Sequence, residues 1–81
     1  MNTKTITLTH DDAVTLECFL LMTTSYRKGE VEAWEKLAEE LDKNGKPLFP
    51  KAQSNAEWWR ETSKTLEAIY ETISNAPIDR G

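Results

Sequence analysis

The sequence predicts an all-α fold: a mainly helical three-helix bundle preceded by a short extended or β N-terminal segment. Three observations predict it. Two stretches carry apolar residues at spacings of three and four, a third is apolar around most of a helical circumference, and capping residues, glycines and prolines punctuate all three. The 81 residues suffice for one domain, and a domain so short buries a small share of its surface and has little stability to spare.

The elements follow in order. Thr3 to Thr9 alternates threonine with Ile6 and Leu8, a period-2 pattern for a short strand. No later segment offers a clear strand to pair with; Lys46 to Lys51 is interrupted by prolines, so residues 3–9 either lie extended or pair with a second copy. The first helix is expected over about 11–28, capped by Thr9 or Asp11, with acids at the positive end of its dipole. Its members Val14, Leu16, Cys18, Phe19, Leu20, Leu21, Met22 and Tyr26 do not form one stripe. Such a helix wants burial on more than one side.

Gly29 fits a break after Arg27 and Lys28, or a bend in one longer helix. The second helix, about 30–43, is amphipathic, with Val31, Trp34, Leu37, Ala38 and Leu41 inward and a charged outer face. Asn44-Gly45 supplies its stop. A loop over 44–54 holds Leu48 and Phe49 between prolines and is expected to pin itself to the core. The third helix, about 55–74, opens at the capping box Ser54-Asn55-Ala56-Glu57 and carries Trp59, Thr62, Leu66, Ile69, Tyr70 and Ile73 as its inner stripe.

Composition excludes several function classes. One cysteine, Cys18, and one histidine, His10, build neither an internal disulfide nor a Cys/His zinc site. Of the usual reinforcements for a small scaffold, oligomerisation is the one left. The longest apolar run, Cys18 to Met22, is far short of the ~20 residues a membrane span needs. The N-terminus does not read as a secretory signal, and a cytoplasmic location is expected. With 14 acids against 10 bases the net charge is −4, which disfavours direct binding of nucleic acid or anionic membrane.

His10-Asp11-Asp12 has groups suited to metal binding or acid/base work, yet neighbours at a helix start diverge and no further ligand is near, so a helix cap is the reading. Cys18 lacks a basic neighbour to activate its thiol and reads as a small buried hydrophobe. Trp58 and Trp59 stand 100° apart on a helix; Trp59 enters the core and Trp58 stays at its border as a candidate partner anchor. Glu32, Glu35 and Glu39 join Trp58 as candidate partner-binding residues. Phosphate-binding, hydrolase, zincin, redox and EF-hand motifs are absent. No enzyme activity and no cofactor or metal are expected.

Leu8-Thr9-His10-Asp11-Asp12, Ala33-Trp34-Glu35-Lys36-Leu37-Ala38 and Ser54-Asn55-Ala56-Glu57-Trp58-Trp59 give the chain a style that resembles short helical accessory proteins of bacteriophages and bacterial mobile elements. The resemblance carries no site residues over; it implies an inhibitor or adaptor acting on a host or defence protein. From the residues themselves the expectation is a protein-interaction module, a homo-oligomer joined through Phe19, Met22 and Tyr26 of the first helix. The alternatives are an inhibitor that mimics nucleic acid with the acids of the second helix, and an oligomer that binds a small molecule between subunits.

Overall fold

A computed structural model describes residues 2–78. Three helices are present among them: α1, His10–Met22; α2, Thr24–Glu39; and α3, Ala52–Asn75. α1 and α2 run on from one another as one rod of about 45 Å, and α3 folds back antiparallel along it. An ion pair from Arg60 to Glu35 at 3.3 Å marks one end of the pairing, and a hydrogen bond from Ser74 to Glu17 at 3.0 Å the other. α3 packs mainly on α2 and reaches α1 only near its own C-terminus.

The fold is therefore mostly helical, but the expected closed three-helix bundle is not formed within the chain. Its dimensions, 66 × 30 × 14 Å, describe a slab one helix thick. The radius of gyration is 18.0 Å, where a compact chain of this length has about 12 Å. Residues 2–9 form no strand, and the N-terminal expectation of β structure is corrected accordingly. Thr9 does cap α1, its hydroxyl accepting from the Asp12 amide at 3.0 Å.

The break in the rod falls at Thr23, six residues before Gly29, which is helical and interior to α2. Two adjacent threonines explain the shift. The Thr23 hydroxyl donates to the carbonyls of Phe19 and Leu20, and the Thr24 hydroxyl donates to Leu20 at 3.2 Å, back-bonds that compete with the helical ladder. The distortion is slight, since the Thr23 amide still reaches Phe19 at 3.1 Å and the Arg27 amide reaches Thr23 at 3.0 Å. Arg27, expected in the last turn of the first helix, lies instead near the start of α2 and is buried. Its Nη1 donates to the Leu20 carbonyl and the Thr23 hydroxyl, bracketing the joint from inside.

α2 ends at Glu39, four residues before the expected limit, because Asp42-Lys43-Asn44-Gly45 closes a tight turn of its own. The Gly45 amide donates to the Asp42 carbonyl at 3.0 Å, Gly45 takes φ +80, and the Asp42 carboxylate accepts from the amides of Asn44 and Lys46. A single antiparallel bridge, Leu41 to Pro47, completes a miniature hairpin. Leu41 lies outside α2 and is exposed, as are Leu48 and Phe49, so the loop is not pinned to a core.

α3 starts at Ala52, ahead of the expected capping box. Phe49-Pro50-Lys51-Ala52 forms the turn that launches it, the Ala52 amide donating to the Phe49 carbonyl at 3.0 Å with proline at the favoured second position. Ser54 and Glu57 therefore lie within the helix and cap nothing. Ala52 and Ala56, one turn apart, are buried and let α3 lie close to its neighbour. Beside them only Leu20 is a buried apolar residue among those described.

Candidate interaction surface

Helical periodicity sorts the exposed residues of the slab by side. Along the rod a stripe of half-buried and buried positions that includes Leu16, Leu20, Arg27, Val31, Trp34 and Ala38 faces α3. Phe19, Met22 and Tyr26 follow one another at spacings of three and four and stand about a third of a turn away on one flank. They are 60%, 80% and 62% exposed. On α3, Trp58, Thr62, Thr65 and Ile69 make a stripe of the same spacing, with Trp58 59% exposed.

An aromatic relay places both stripes on the same side of the slab. The Tyr26 ring meets Trp59 edge-on at 5.9 Å between centroids, and Trp59 meets Trp58 edge-on at 5.1 Å. Edge-to-face geometry suits the ring quadrupoles and holds the three rings as one unit. The stripes of the rod and of α3 thus merge into one face whose large apolar residues are open to water.

Glu32, Glu35 and Glu39 project from the other flank of α2. Glu35 is engaged by Arg60, which offsets part of its charge. The structure therefore separates Trp58 from the three acids with which it was grouped and joins it to Phe19, Met22 and Tyr26. On that charged side an open groove of about 520 Å³ runs between the rod and α3, lined by Arg27, Lys64, Glu67 and Glu71 together with apolar side chains.

Further corrections concern single residues. Cys18 is exposed, not buried. Ile69, expected inside, is partly exposed on the apolar face, and Val14 and Leu21 are exposed on α1. Among the described residues no group of three potential ligands could hold a metal ion, and no helix is long and apolar enough to cross a membrane.

The chain exposes much surface for its mass. The accessible surface is 7096 Å², whereas a compact protein of 9.3 kDa exposes about 5,000 Å². The excess of roughly 2,000 Å² is spread over the extended N-terminal segment, the connection between α2 and α3 and both sides of the slab, and it exceeds the ~800 Å² each partner contributes to a stable interface.

No protein-family model matches this chain, and comparisons with curated proteins and with solved structures find no match either.

Proposed function

We propose that this chain is a protein-interaction module that acts by binding, and that its immediate partner is a second copy of itself. The face carrying Phe19, Met22, Tyr26 and Trp58 is the surface it uses. What supports this reading is the amount of apolar side chain that the lone chain leaves in water. Fully burying one such residue is worth about 1.5–3 kcal/mol, so covering three or four of them is a substantial driving force even after the cost of association. The bundle that one chain leaves open is then closed between chains, with each rod supplying the helix the other lacks.

The test is sedimentation across a wide concentration range, for the natural protein and for a Met22→Glu, Tyr26→Glu variant. Both side chains are mostly exposed, and because Tyr26 also meets Trp59 within the chain, circular dichroism of the variant checks that its helices remain. A dimer or larger species for the natural protein, and a monomer for the variant at the same concentration, is the expected result. A natural protein that stays strictly monomeric at high micromolar concentration would overturn the reading.

A further inference from the structure

Gly29 is the feature the single chain does not account for. It sits inside α2 with ordinary helical backbone, where glycine is the least favoured residue after proline. A Cβ built there meets nothing within 4 Å, so no neighbour in the same chain requires its absence. The position does, however, fall on the open face. Thr15, Phe19, Met22, Tyr26, Gly29 and Ala33 recur at alternating intervals of four and three along the rod, which is the seam of a two-stranded coiled coil. Its large residues, Phe19, Met22 and Tyr26, are consecutive, and small ones flank them at Thr15 on one side and at Gly29 and Ala33 on the other.

Resting on the self-association proposed above, we infer that two copies pair antiparallel through this seam, Phe19 of each filling the notch over Gly29 of the other. The arithmetic of an antiparallel seam allows few registers. When Phe19 opposes Gly29, Met22 opposes Tyr26 of the second copy, and Thr15 opposes Ala33. Every layer then combines a larger residue with a smaller one, or a flexible thioether with a ring, a contact sulfur favours. The two-fold axis passes beside Thr24, the middle of the rod spanning 10–39. The rods are therefore coextensive.

Of the two registers one heptad away, one sets Phe19 against Met22 and Tyr26 against Thr15, the other sets Phe19 against Lys36, and each leaves about seven residues of each rod overhanging. The coextensive register has a further consequence. It carries each N-terminal segment, in which Ile6 and Leu8 are exposed, past the end of the other copy's α2, where Leu41 and Leu48 also stand exposed.

Two measurements decide it, both in a Cys18→Ser background where cysteines are introduced. First, Thr15→Cys and Ala33→Cys proteins are mixed and treated with a short bifunctional thiol crosslinker. The heterologous pair should link, while Thr15→Cys alone should not, its two copies lying about 27 Å apart along the rods. Linkage of Thr15→Cys to itself, or a dimer with no linkage in either case, would overturn the antiparallel register and leave self-association standing. Failure to form any dimer would remove both.

Second, Gly29→Leu should weaken association at least tenfold even though it favours the helix of the lone chain, and Phe19→Ala added to it should restore binding by reopening space. Unchanged association of Gly29→Leu would show that the notch is empty in the assembly.

Discussion

Arg27 shows how one side chain can be placed by local geometry rather than by charge. It is 5% exposed, and among the described residues no carboxylate lies within ion-pairing distance and its Nε has no hydrogen-bond partner. Its Nη1 donates to a carbonyl and a hydroxyl at the Thr23 joint. Charge-assisted bonds of this kind contribute about 1.5–3 kcal/mol, whereas an unpaired buried ion costs several kcal/mol. The second effect wins, and the Leu20 carbonyl keeps the hydroxyls of Thr23 and Thr24 as donors when the arginine is removed. Arg27→Met is therefore expected to leave stability unchanged or raise it by about 1 kcal/mol. A fall of more than about 2 kcal/mol in urea titration would show that the bracket stabilises the joint more than its burial costs.

At the scale of the elements, the connection between α2 and α3 sets their register, and Gly45 is its most constrained point. With φ at +80 it occupies the left-handed region, where an added Cβ crowds the backbone. Gly45→Ala should cost about 1–2 kcal/mol, read as a lower urea midpoint; an unchanged midpoint would mean that this turn does not hold the helices in register. The sequence made three helical stretches legible, because apolar spacing survives whatever the ends do. The ends were harder to read. Ser54-x-x-Glu57 has the form of a capping box, yet the turn at Phe49-Pro50 had already started the helix. Gly29 has the form of a stop, yet stacked threonines at 23 and 24 perturb the ladder first. Asp42 to Gly45 holds a turn signature that Asn44-Gly45, taken as a helix end, conceals. The site divides the same way. Phe19, Met22 and Tyr26 were legible as surplus apolar surface, and the separation of Trp58 from Trp59 follows from 100° per residue. The junction of Trp58 with that stripe was not legible, because it depends on how α3 lies against α2.

At the scale of the molecule, the proposed self-association would link folding to assembly. A chain with three buried apolar residues among those described, and roughly 2,000 Å² of surplus surface, has little stability of its own. Whatever covers the open face adds to the free energy of unfolding by mass action. For a dimer of chains this size, each tenfold dilution should lower the melting temperature by roughly 3–5 °C. A melting temperature independent of concentration would show that the lone chain is stable as it stands. The slab's thinness, 14 Å, bears on one more observable. In a single layer of helices no peptide N–H lies more than one side chain from water, so brief fraying reaches nearly all of them. Slow hydrogen exchange in this protein would accordingly report on what lies across its greasy side, and its rate would follow the chance of meeting a mate.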